Sequence, residues 1–196
     1  MAIWFDTWNN DRIVTQKKEH AITKIREEIE HNLEELIMAR EINERIPAAV
    51  KEFRKIRTEG YEDHVGEVMS VAAMQGYQKA HPGFFNIKDS VALENGLFEY
   101  LGDSFINLEL ASLSDIAWET TKDLRLADEM GFECLYDLEN LYNVQQMVLV
   151  EINKSSEALQ NEDIGGLLRI LEFISQLDRQ LEDHYRNMLD QMEICL

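Results

Sequence analysis

Two prolines and nine glycines among 196 residues leave this sequence almost without chain breakers. That scarcity disfavours many short strands joined by tight turns and favours long helices. Only two cysteines are present, Cys134 and Cys195. They lie far apart and lack the spacing of a zinc site, so they are either one bridge or two buried thiols. No run of about 20 apolar residues occurs, so no stretch reads as a membrane span. Nor does any segment read as a secretory signal, since Trp and Asp stand where a smooth apolar region is required. Basic residues are outnumbered, 19 Lys and Arg against 38 Asp and Glu, for a net charge of −19. A surface of that sign argues against nucleic acid as a partner, because binding phosphates requires a basic face. It also keeps the bulk of the domain off an anionic lipid surface.

What remains is helical. At this length roughly 70% of the unfolded surface can be buried, so neither a disulfide nor a metal is needed to hold a core. In "TQKKEHAITKIREEIEHNLEELIMAREINERI", Ile22, Ile25, Ile29, Leu33, Leu36 and Ile37 recur at three- and four-residue steps with charges between, the pattern of a long amphipathic helix. Pro47 predicts a kink or restart, and Gly60 a stop after "AAVKEFRKIRTEG". "YEDHVGEVMSVAAMQG" reads as a short helix and "YQKAHPGFFNIKDS" as the main irregular connection. Asp89 or Ser90 then caps "VALENGLFEYLGDSFINLELASL", read as one helix or, given Gly96 and Gly102, as two. Ser114 is a good N-cap for the helix carrying "IAWETTKD", and Gly131 separates it from the helix "FECLYDLENLYNVQQMVLVEINKSSEALQ". From Ile164 onward, Leu167, Leu171, Ile174, Leu181, Tyr185, Met188 and Met192 form a narrow seam broken only by Asp178, as in a helix packed within a bundle or in a coiled coil. The expectation is an all-α bundle of five to seven helices with a long N-terminal helix, the last helix packing along the first.

Candidate chemistry is sparse. Glu28-x-x-His31 places a carboxylate and an imidazole on one helical face, as helical di-iron proteins do. A full site needs two such pairs, and no second histidine has an acid three residues before it. The same stretch resembles helical nucleoside triphosphate pyrophosphohydrolases, whose pattern is Glu-Glu-x-x-Glu followed by Glu-x-x-Asp. Here Glu27 and Glu28 are followed by His31, and Glu99/Asp103 and Glu119/Asp123 are spaced by four. Glu28 and His31 are therefore weak metal candidates, set against a solvated acidic helix face. No serine sits in a glycine elbow, no histidine neighbours Cys134, and "DIGGLL" lacks the lysine of a phosphate loop. Trp118 is either a binding-pocket wall or a core anchor. No catalytic residue and no cofactor is assigned.

Three stretches carry a resemblance. "AIWFDTWNNDR" supplies Trp8, Asn9 and Arg12; "EEIEHNLEEL" supplies Glu28, Ile29 and Asn32; "LSDIAWETTKD" supplies Ala117 to Thr120, followed by a helix with Tyr and Gln, "LYNVQQ". Together they resemble an uncharacterised group of bacterial proteins with one N-terminal membrane span, a juxtamembrane Trp-Asn-x-x-Arg motif and a helical domain behind it. The resemblance implies that residues 1–16 are the juxtamembrane end of a transmembrane helix whose span has been removed, and that residues 17–196 are the bundle. It implies no catalytic residue. Trp4 and Trp8 agree with it physically, since indole rings favour the membrane–water boundary, with Arg12, Lys17 and Lys18 following where headgroups lie; the other reading of the segment is a hydrophobic staple or strap packed on the bundle. The expectation is a membrane-anchored domain on the periplasmic side, with an interaction or sensory role, meeting a protein partner or a second copy. The alternative is a helical metal-dependent enzyme using the glutamates around Glu28.

Overall fold

The computed structural model describes residues 2–61 and 63–195, with residues 2–11 described by backbone alone. The chain forms two compact units, one comprising residues up to Glu41 together with Leu110 onward, the other Ile42–Glu109.

The first unit is helical. Its elements are α1 (Ala2–Asn43), α4 (Ile116–Asp123), α5 (Phe132–Gln160) and α6 (Ile164–Gln191). Ile22, Ile25, Ile29 and Leu36 of α1 are buried in one core with Trp118, with Leu138, Leu141 and Val148 of α5, and with Leu181, Tyr185 and Met188 of α6. The apolar spacing read from the sequence thus becomes the shared core of α1, α5 and α6. Every residue of the α6 seam from Leu167 to Met192 is buried, so the seam is spent inside the fold. Asp178, which interrupts it, is buried as well. The α5–α6 corner is made by Glu162 in a left-handed conformation (φ 56°) and by Asp163, whose Oδ1 accepts from the Gly166 N–H at 2.8 Å and caps α6. Cys134 and Cys195 are joined in a disulfide across 61 positions, which answers the question their spacing left open.

The second unit corrects the all-α expectation. It contains α2 (Arg45–Ile56), α3 (Val71–Ala80) and an antiparallel sheet of β1 (Glu67–Ser70), β2 (Phe85–Ala92) and β3 (Leu97–Ser104) in the order β1–β3–β2. The segment read as a short helix starts as β1 before α3. The segment read as one or two helices is the end of β2, a turn and β3. Asp89 and Ser90 therefore lie in a strand and cap nothing. Asn95 (φ 61°) and Gly96 (φ 73°) both adopt the left-handed conformation that reverses the chain, the geometry an Asn-Gly pair is suited to. The core of this unit is Phe53, Met69, Met74, Tyr77, Phe85 and Tyr100. Phe53 contacts Tyr77 and Phe85 at ring separations of 5.0 and 5.1 Å.

Pro47 falls in the first turn of α2, where its missing N–H costs nothing. The helix break precedes it, at Glu44. Asn43 clips the unit shut: its Nδ2 donates to the Glu109 carbonyl at 2.7 Å while its Oδ1 accepts from the Glu109 N–H at 2.9 Å. Among the described residues no helix is long and apolar enough to cross a membrane.

Candidate functional site: a polar clamp beneath an apolar groove

Glu28 and Asn32 are one helical turn apart on α1 and point the same way. Both meet the segment that leads into α4. The Glu28 carboxylate accepts four hydrogen bonds. Its Oε2 accepts from Ser114 Oγ and from the Ala117 N–H, each at 2.8 Å. Its Oε1 accepts from Tyr142 Oη at 2.8 Å and from the Trp118 N–H at 3.4 Å. Ala117 and Trp118 occupy the first turn of α4, whose N–H groups have no partner within the helix. Asp115 sits at the cap position but its side chain makes no capping bond; it accepts instead from Gln146 Nε2 at 2.9 Å. Glu28 therefore caps α4 from another helix, its charge also favoured by the helix dipole.

Asn32 completes the clamp. Its Oδ1 accepts from the Ser114 N–H at 2.8 Å and its Nδ2 donates to the Ser114 carbonyl at 2.6 Å. Asn32 Nδ2 also donates to Gln145 Oε1 at 3.2 Å, Gln145 Nε2 donates to the Ser114 carbonyl at 3.0 Å, and Tyr185 Oη donates to Gln145 Oε1 at 2.7 Å. Asn32 and Gln145 are wholly buried, so this network is where an unmade bond would be expensive. Burial, and then the nearby Glu28 charge, push the Tyr142 hydroxyl far above its ordinary pKa. Burial does the same to Tyr185. Both remain proton donors across the physiological range. Trp118 is fully buried, stacked on Tyr142 at 5.8 Å with 6° between the rings, and Lys122 Nζ lies 5.2 Å from its ring centroid. It is an anchor of the core.

No family model, curated protein or solved structure matches the chain. Its chemistry has to be read from its own geometry. The stretches quoted above for the resemblance, around Glu28, around Trp118 and in "LYNVQQ", converge on this clamp through Glu28, Asn32, Ala117, Trp118, Tyr142 and Gln145. Glu28 faces the α4 terminus with its oxygens engaged, and His31 is exposed. Among the described residues no group of three or more His, Cys, Asp or Glu is placed to hold a metal ion. Arg12 is exposed on α1. Trp4 and Trp8 fall within α1, and their side chains lie outside the described residues.

Beside the clamp lies an open groove of about 990 Å³, walled by α1 from Ile13 to His31 and by α4 with Leu124 and Leu126. Its apolar residues include Ile13, Ile116 and Leu124, exposed at 42%, 72% and 64%. Lys17, His20 and Lys24 line the α1 wall, and Lys24 Nζ lies 2.6 Å from Glu27 Oε2. Sequence reading missed this groove. The available signal was the pair Ile116 and Leu124 on a short helix whose other face is taken up by Trp118 and Thr121.

Proposed function

We propose that this chain is a non-enzymatic interaction or sensory domain of a membrane-anchored protein, and that the groove between α1 and α4 is where it meets its partner. The observation that carries the reading is the fate of Glu28. The one carboxylate placed by motif for chemistry accepts four hydrogen bonds as a helix cap, so its lone pairs are occupied by the fold. What adjoins it is an open, largely apolar surface of ligand-site size. A site that offers shape and apolar area, and whose motif carboxylate is taken up by the fold, is suited to binding. The alternative, a metal-dependent enzyme built on Glu28, needs those same oxygens.

Two features support the location. The Cys134–Cys195 bridge suits an oxidising compartment such as the periplasm. Trp4 and Trp8, followed by Arg12, Lys17 and Lys18, suit a segment lying at a bilayer boundary. The reading is tested by fractionating cells that express the protein from its native gene, with protease applied to intact and lysed spheroplasts. Membrane association with cleavage in intact spheroplasts is expected; a soluble, cytoplasmic protein would remove the anchored reading. Metal analysis of the purified chain is the second arm, and stoichiometric metal that Glu28→Ala abolishes would restore the enzyme.

A further inference from the structure

Among the described residues, none buries the start of the α1 wall of the groove. No residue from Arg12 to His20 is buried, whereas Ala21, Ile22 and Ile25 are. A helical stretch with no fully buried residue gains little from packing, which supplies most helical stability in proteins. Its groove-lining residues Ile13, Lys17, His20, Lys24, Glu27 and His31 recur at steps of three and four. That is the spacing by which one helix meets another. From Ile13 to His31 the wall is about 27 Å long at 1.5 Å per residue.

Among the lining residues from Ile13 to Lys24 the charged ones are the cations Lys17 and Lys24, with His20 between them, and Glu27 and Glu28 follow at the far end. Residues 12–26 carry five cations, Arg12, Lys17, Lys18, Lys24 and Arg26, against the single carboxylate Glu19, in a chain of net charge −19. Residues 27–41 carry six carboxylates against Arg40 alone. The stretch 12–20, which has no buried residue, thus lies within the cationic segment. A second copy anchored to the same bilayer would run parallel and set cations against cations.

We infer that the α1–α4 groove receives an acidic amphipathic helix from a partner protein. Its apolar stripe covers Ile13, Ile116 and Leu124, and its carboxylates meet Lys17, His20 and Lys24. Lysine stems can lie along the apolar stripe while their ammonium groups stay at the wet edge. The inference rests on the interaction reading above and names its partner.

The test titrates the purified chain with a synthetic helix of about 18 residues, the length that matches the wall, carrying leucines at steps of three and four and glutamates on both flanks. A second peptide replaces every glutamate by lysine. The acidic peptide is expected to bind, weakening with added salt, and the basic one is not. Lys17→Glu with Lys24→Glu should weaken the acidic peptide by about tenfold or more, since attraction is replaced by like-charge opposition. Leu124→Asp and, separately, Ile116→Asp should abolish binding; both positions are exposed, and circular dichroism verifies each fold. Hydrogen exchange of residues 12–20 should slow on binding. Equal binding of the two peptides, or indifference to the charge reversals, overturns the inference. So does sodium dodecanoate binding with the same variant sensitivity where the peptide fails, which would give the groove to an anionic amphiphile. Light scattering showing a dimer that Lys17→Glu dissociates would give it to a second, antiparallel copy. None of these readouts involves a membrane or a metal, so failure here leaves the fractionation and metal results standing on their own.

Discussion

Replacing Glu28 by glutamine removes one charge and keeps the side chain's length, which makes it the sharpest probe of the clamp. One amide oxygen can still serve two of the four donors, and the best-placed pair is Ser114 Oγ with the Ala117 N–H, both at 2.8 Å. The amide nitrogen then faces Tyr142 Oη and the Trp118 N–H. Tyr142 can rotate its hydroxyl and accept. The Trp118 N–H cannot, but its bond is already long at 3.4 Å. The cost is therefore the difference between charged and neutral acceptors at two bonds plus the lost charge at a helix terminus, about 2 kcal/mol in all. Glu28→Ala strands Tyr142, Ser114 and two backbone N–H groups in a partly buried site and should cost about 3–5 kcal/mol.

For a chain of this size, the glutamine variant then corresponds to a fall in Tm of about 4–8 °C. Near-ultraviolet circular dichroism is the suitable readout, because the stacked Trp118–Tyr142 pair gives it a signal inside the same unit. Hydrogen exchange at Ala117 and Trp118 should rise before global unfolding. A glutamine variant within about 0.5 kcal/mol of the parent would refute the reasoning. The carboxylate would then be retained for something other than holding α4, and the enzymatic alternative would gain.

Cys134→Ala with Cys195→Ala should lower stability by about 4 kcal/mol, the chain-entropy value for a loop of this length. Unreduced denatured protein should show no thiol toward Ellman's reagent, and two reactive thiols would contradict the bridge. Tyr142 and Tyr185 have raised native pKa values, so the stability they confer is complete below about pH 10. It is lost as pH rises further, at up to about 1.4 kcal/mol per pH unit for each tyrosine, measurable as a falling urea midpoint. Burial opposes the charge of Glu182, but hydrogen bonds from Arg186 and Arg40 outweigh it and hold the carboxyl below its ordinary range. Its contribution is therefore present above about pH 4.5 and lost as pH falls, and Glu182→Gln should flatten that acid limb. Gly102→Ala would bring a methyl group 2.2 Å from the Asn86 carbonyl oxygen across the β2–β3 ladder, at a cost of about 1–3 kcal/mol, read as lost exchange protection in that hairpin alone.

How much of this was legible in the sequence differs between the two units, for reasons particular residues make plain. In the helical unit the apolar face of each long helix is buried against the others, so a repeat at three and four positions reports burial directly. Ile22, Ile25 and Ile29 on α1, and the whole seam of α6, are found where their spacing puts them. In the sheet the same signal misleads. Leu97, Phe98, Tyr100 and Leu101 of β3 fall at steps of one, three and four, which imitates a helix. β2 buries only Phe85, leaving most of its other residues exposed, so it has no alternation to show. Asn95-Gly96 was the decisive signal for a hairpin, and reading its glycine as a weakness in a helix concealed the turn.

The clamp was legible in fragments and not as an assembly. Glu28, Asn32, Ala117 and Trp118 stand out as short motifs, yet their role comes from pairings across 82 to 114 positions, which no local pattern encodes. Glu28 illustrates the limit. A carboxylate with a histidine three residues on reads as chemistry as long as its oxygens are taken to be free. Only the approach of α4 shows that they are filled. A helix whose own cap residue is bonded elsewhere, as Asp115 is to Gln146, must be capped from outside. The start of such a helix, with N–H donors and no capping acceptor of its own, rather than the acidic residue itself, is the feature that explains why a glutamate belongs at position 28.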